Sequence, residues 1–276
     1  MCMPIPYNSV RGDGFFVRSG QKGSIGVAFL AMALLGTSCG KAPLAPSETG
    51  TARPAADAIR EAEDLYKGRT DLVKVREAIV SLRQAQADHP TDYDLAWRLA
   101  KFDYYLGSHS TESHEQDKAF HEGIDAGKLA VQLQDGKPDG HFWLGANYGG
   151  SAKLSVLAGL SEVDDIKREM ETVLKLDEGY QSGSAYMVLG QVYLEAPKLL
   201  GGDVEKSIGY LEKGIKFGPD NALLKVTLAR AYAEAHRNAD AQKQIDELMK
   251  MKPAAGYEPE YNEAVAEAKT LQDKLK

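Results

Sequence analysis

Residues 140–150 read GHFWLGANYGG and set His141, Trp143, Asn147 and Tyr148 among four glycines. Such a mixture of a base, an amide and a phenol could serve acid–base or ligand chemistry. A second candidate lies upstream, where His109, His114 and His121 alternate with Glu112, Glu115 and Glu122. Metal binding needs ligands on one face at close spacing, and here no HExxH occurs while His114 and His121 stand two helical turns apart. The segment therefore reads as a solvated insertion. A GxSxG-like run appears as QSGSA at 181–185, where Gly183 and Ser184 read as residues that open a helix. Asp203, Asp164 and Asp165 read as helix starts, favoured there by the dipole. No catalytic residue, no metal and no cofactor is expected.

What would position these side chains is helical nearly throughout. From about Ala56 onward apolar residues recur at three and four, as in DAIREAEDLYKG, DLAWRLAKFDYYLG and DVEKSIGYLEKGI, and no alternating strand pattern occurs. Breaks at HPTD, DGKPDG, GPDN and MKPAAG predict helices of about 12–18 residues joined by short turns. Comparison of the chain with itself shows four leucine-plus-small pairs, Leu99-Ala100, Leu144-Gly145, Leu189-Gly190 and Leu228-Ala229. Tyr148, Tyr193 and Tyr232 follow three of these leucines by four residues, whereas Asp103 takes that place in the first unit.

This pattern resembles the tetratricopeptide repeat, most closely over 222–255 and then over the unit before it, which carries extra residues within PKLLGG. The fold implied is all-α, a tetratricopeptide-like solenoid of helical hairpins with about four to five units and long insertions. In such packing a glycine or alanine lets two helix axes approach, and each hairpin buries a face that it could not bury alone. The GHFWLGANYGG run then becomes the first helix of the third unit, with Leu144, Gly145 and Tyr148 facing inward.

Residues on the opposite helical face, at 100° per residue, fall toward the inner wall of the solenoid. They are Trp97, Lys101 and Tyr104, then Phe142, Ala146 and Gly149, then Met187, Gln191 and Leu194, then Val226, Arg230 and Ala233. A wall of this largely apolar character is expected either to bind a protein segment or apolar ligand, or to be covered as core by C-terminal helices or insertions. The final stretch, YNEAVAEAKTLQDKL, reads as a solvating cap helix.

The chain has 276 residues, 43% hydrophobic and 26% charged, with a net charge of -7, and lacks the basic, aromatic-studded stretches that mark nucleic-acid binding. Arg11, Arg18 and Lys22 precede the apolar run GSIGVAFLAMALLG at 23–36, the layout of a signal peptide. LLGTSCG resembles a lipoprotein box in which Cys39 would be acylated, although Gly36 replaces the usual aliphatic residue. Cys2 and Cys39 are the only cysteines, so no disulfide is expected in the folded body. The organisation expected is a signal peptide over 1–38, a flexible tether over 39–55 and a repeat domain over 56–276.

Taken together, GHFWLGANYG, VLGQVYLEAP and LLGGDVEKSIGYLEKGI are similar to the T-component family of tripartite ATP-independent periplasmic (TRAP) transporters. The aromatic pair followed by GAN is also similar to the tetratricopeptide part of regulator of microtubule dynamics proteins. The first resemblance implies a non-catalytic, exported lipoprotein that partners a periplasmic solute-binding protein and can assemble with copies of itself. A purely structural envelope scaffold is the alternative reading.

Overall fold

The computed structural model describes residues 53–154 and 156–275, with side chains from 161 onward in the sixth helix. The signal segment, nearly all of the tether and Cys39 lie outside the described residues. Among those described, eleven α-helices alternate in direction and form five hairpins: α1 (Ala55–Tyr66) with α2 (Leu72–Asp88), α3 (Tyr93–His109) with α4 (Ser113–Leu133), and α5 (Pro138–Leu154) with α6 (Val156–Leu176). Two further pairs follow, α7 (Tyr180–Glu195) with α8 (Val204–Phe217) and α9 (Ala222–Glu234) with α10 (Asn238–Lys250), before a last helix, α11 (Glu258–Leu275).

Local chemistry explains several of these boundaries. Asp71, Asp92, Asp203 and Asn221 each accept a hydrogen bond from a backbone N–H in the first turn of the following helix, at 3.0–3.2 Å. Such caps satisfy donors that the helix itself cannot. The expectation for Asp203 is met. Asp164 and Asp165 are a correction: they lie inside α6, which already begins at Val156, and Asp165 pairs with Arg168 at 2.5 Å.

Two helices, α4 and α6, reach 21 residues and exceed the expected length. The 106–120 segment is not a separate excursion: α3 runs on to His109, a three-residue turn follows, and α4 starts at Ser113. The start of α7 also differs from a simple cap. Gln181, Ser182 and Gly183 all have positive φ (43°, 58° and 78°), a left-handed turn that only then yields the right-handed helix at Ser184. Such backbone is costly for residues other than glycine. It is held by Asn221 Nδ2, which donates to the Ser182 carbonyl at 3.2 Å, and by Ser184 Oγ, which donates to that of Gln181 at 2.5 Å.

The leucine-plus-small pairs are contact points between helices. Leu99, Leu144, Leu189 and Leu228 are all buried in one continuous apolar core. A methyl group on Gly145 would sit 2.4 Å from Met170 Cε, and one on Gly190 2.5 Å from Leu211 Cγ. Both glycines thus set how closely the helices of a hairpin approach. Gly190→Leu is expected to overpack the α7–α8 crossing and lower the stability by ~1–3 kcal/mol, read as a lower melting temperature. An unchanged melting temperature would contradict this packing.

Candidate functional site

The inner-wall positions are carried by α3, α5, α7 and α9, the first helices of the second to fifth hairpins, and the structure divides them into two groups. Tyr104, Phe142, Met187, Gln191 and Val226 are buried, none more than 2% exposed. The aromatic members join a chain of rings inside the core: Tyr104 lies 5.8 Å from Trp143, which meets Phe142 edge-on at 5.0 Å, and Phe142 lies 5.3 Å from Tyr180. Trp97, Lys101, Leu194, Arg230 and Ala233 are half-buried.

The half-buried members are polar or flanked by charge. Trp97 Nε1 donates to Asp94 Oδ1 at 3.0 Å, and the Arg98 guanidinium stacks 4.1 Å over its ring. Lys101 Nζ lies 4.4 Å over the Tyr66 ring and 3.6 Å from Glu63. Burial lowers the pKa of the Lys101 ammonium, and Glu63 opposes that shift. Arg230 donates to Glu195 at 2.9 Å and pairs with Glu267 of α11 at 3.2 Å, while Lys153 joins the same Glu195 at 3.2 Å. Burial works against the Glu195 carboxylate, yet Lys153 and Arg230 outweigh it and hold its pKa below the usual range. The C-terminal halves of α5, α7 and α9 and the middle of α11 thus meet in a neutral set of two cations and two anions. Lys153, Glu195 and Glu267 escaped the sequence reading, because only the fold brings their helices together.

The residues that first suggested chemistry serve packing. His141 is 4% exposed, with Nδ1 2.7 Å from Glu169 Oε2 on α6 and Nε2 2.9 Å from the Asp135 carbonyl. The hydrogen bond to Glu169 raises its pKa against the opposing effect of burial. Asn147 is fully buried and donates to the Ala100 carbonyl of α3 at 2.9 Å as well as to that of Trp143, which ties the second hairpin to the third. Leu144, Tyr148, Leu189, Leu228, Ala229 and Tyr232 are buried, while Tyr193 is half-buried and stacks on Tyr210 at 5.4 Å. His109 stacks on Tyr105 at 3.9 Å and faces Glu263, His114 is exposed, and His121 pairs with Asp117. Among the described residues no group of three or more His, Cys, Asp or Glu is placed to hold a metal ion, and no helix is long and apolar enough to cross a membrane.

A family model described as TRAP transporter T-component matches residues 96–271. Among solved structures, the chain is similar to TTC0263, a thermophilic TPR protein of Thermus thermophilus, at 18% identity and a TM-score of 0.59, covering 79% of this chain and 100% of that one. It is also similar to PilF of Pseudomonas aeruginosa, at 14% identity and a TM-score of 0.51, covering 80% of this chain and 93% of that one. These likenesses establish the tetratricopeptide-type solenoid. No curated protein matches the chain.

Proposed function

The chain belongs to the T-component family of TRAP transporters, and from that premise we propose that it is a non-catalytic accessory component that holds a protein partner along its helical-repeat wall. The family match over 96–271 carries this reading, because it spans every wall position, from Trp97 on α3 to Ala233 on α9. Recognition then involves no covalent change: preformed helices present side chains whose ordering cost is already met by folding. Trp97, Lys101, Leu194 and Arg230 are the contact residues proposed, being wall positions with surface left to offer. The partner proposed is the periplasmic solute-binding protein of the same transport system, and an apolar ligand is the second candidate occupant. The mature chain works in the cell envelope, anchored through acylated Cys39.

Co-purification of the solute-binding protein with the full chain tests the reading. Trp97→Ala is expected to weaken capture by roughly tenfold, the loss of an aromatic anchor worth about 1–2 kcal/mol. Equal capture by the original protein and by Trp97→Ala and Arg230→Ala would defeat it. One observation favours a purely structural scaffold instead: five of the wall positions, Tyr104, Phe142, Ala146, Met187 and Val226, are spent on the core. The anchor is tested separately, since Cys39→Ser should release the chain from the membrane fraction.

A further inference from the structure

Helix α11 is attached in a way that sets it apart from the hairpins. Its fully buried apolar contacts are two alanines, Ala264 and Ala268, packed with α9, whereas α9 itself buries ten residues. Tyr261, Val265, Leu271 and Leu275 are only partly buried against the core, and the Tyr261 hydroxyl donates to the Met251 carbonyl at 3.0 Å. The ties to distant parts of the chain are made by carboxylates. Glu260, Glu263 and Glu267 stand at i, i+3 and i+7, on one face of the helix. Each reaches a different part of the solenoid. Glu260 accepts from Arg69, in the α1–α2 turn, through three contacts of 2.6–2.9 Å. Glu263 meets His109 Nε2, at the end of α3, at 3.0 Å, and Glu267 meets Arg230 of α9 at 3.2 Å. The last helix therefore joins the fifth hairpin to the first two, across 191 residues of sequence in the case of Arg69.

The connection to α10 is suited to movement. Residues 252–256 are all exposed, and Gly256 has a φ of 81°, where a side chain would be strained. Arg69 also donates to the Gly256 carbonyl at 2.6 Å, so one guanidinium pins both the helix and its hinge. A segment whose apolar contacts are mostly only partly buried, tied at points by polar and charged groups, opens at lower free energy than a core element. Glu263 and Glu267 keep 37% and 32% of their side-chain surface, so salt reaches the Glu267–Arg230 pair and, when His109 is protonated, the Glu263–His109 contact, whereas Glu260 keeps 5%.

We propose that α11 is a reversible ionic clasp: it closes the solenoid by gripping its first two hairpins, and it releases as a unit about residues 252–256, uncovering Arg230 and the wall side of α9. This holds whether or not the partner proposed above is correct.

Amide hydrogen exchange on the full chain tests the clasp. In the unaltered protein, amides of 258–275 should exchange at least about tenfold faster than those of α3 and α5, and faster still as sodium chloride is raised, while α3 and α5 do not change. The variant Glu260→Gln/Glu263→Gln/Glu267→Gln should accelerate α11 alone by a further factor of about ten. Exchange of α11 at the rate of α3, insensitive to salt, would overturn the proposal. If the triple variant fails to fold, as its circular dichroism would reveal, the salt series on the unaltered chain decides.

Discussion

Phe120→Ala is expected to lower the unfolding free energy by about 3–5 kcal/mol, at the upper end for a core truncation, because its ring occupies a slot that nothing else can fill. Phe120 is 4% exposed, on the second helix of the second hairpin. Gly107 of α3 lies on one side, where a methyl group would come within 2.8 Å of the ring. Gly150 of α5 lies on another, where the approach would be 2.1 Å. The ring thus wedges two helices that glycine alone allows so close. Glycine inside a helix carries a cost of ~1 kcal/mol relative to alanine, so both positions forgo helix stability for the sake of this contact. The consequence is a sign change in a double-mutant cycle. Gly150→Ala by itself should destabilise, since the methyl group collides with the ring. On the Phe120→Ala background it should be neutral or stabilising, because the collision is gone and the helix gains. Urea midpoints for the four proteins measure the coupling, and strictly additive losses would show that the slot is not the determinant.

That slot was hidden from the sequence for a physical reason. Gly145 and Gly190 were legible because the same contact recurs in successive hairpins, so their spacing repeats with the fold. Gly107, Phe120 and Gly150 make a contact that occurs once, and three residues on three helices leave no period. The inner wall shows the same division. Counting 100° per residue placed Trp97, Phe142, Met187 and Val226 on comparable faces of their helices. What covers those faces depends on the small rotation between successive hairpins, summed over the solenoid. Hence Phe142, Met187 and Val226 are core while Trp97 keeps exposed surface. The terminal stretch YNEAVAEAKTLQDKL reads as a solvating cap helix, because a polar face on a terminal helix ordinarily meets water, and nothing in the local sequence sets Glu260, Glu263 and Glu267 apart. Their partners Arg69 and His109 lie 191 and 154 residues away, beyond the reach of any local pattern. Asp164 and Asp165 misled in the opposite direction. They have the composition of a helix start, but α6 begins about two turns earlier, at Val156.

Stability should fall as pH rises through neutrality, and the reason is a pair of buried groups that hold protons more tightly in the folded chain. Asp103 takes the place filled by tyrosine in three other units. It is 1% exposed, and burial raises its pKa to about 7 even though Arg83 of α2 donates to it at 2.8 Å. Glu122 of α4, which shares Arg83 at 2.5 Å, pushes the same way as burial, whereas Lys118 opposes it. In the unfolded chain an aspartate titrates near ~3.9. A carboxyl group with the higher folded pKa contributes stability that is fully present below the unfolded value and is lost as pH climbs to the folded one. A gap of about three pH units corresponds to a loss on the order of 4 kcal/mol between roughly pH 4 and 7. His141 has the same sign, because the hydrogen bond to Glu169 raises its pKa, so its contribution is full below the unfolded value of about 6.5 and disappears above it. Glu115 goes the other way, held at about 2 by Arg76, but that contribution is full above about pH 5 and is lost only as pH falls from there toward 2. Thermal melts should therefore show greater stability near pH 5 than near pH 8. Asp103→Asn, which keeps the shape and removes the charge, should flatten the profile up to pH 7 and leave the His141 part above about pH 6.5 in place. A profile that rises from pH 5 to pH 8 would mean that Arg83 neutralises Asp103 more fully than its burial penalises it.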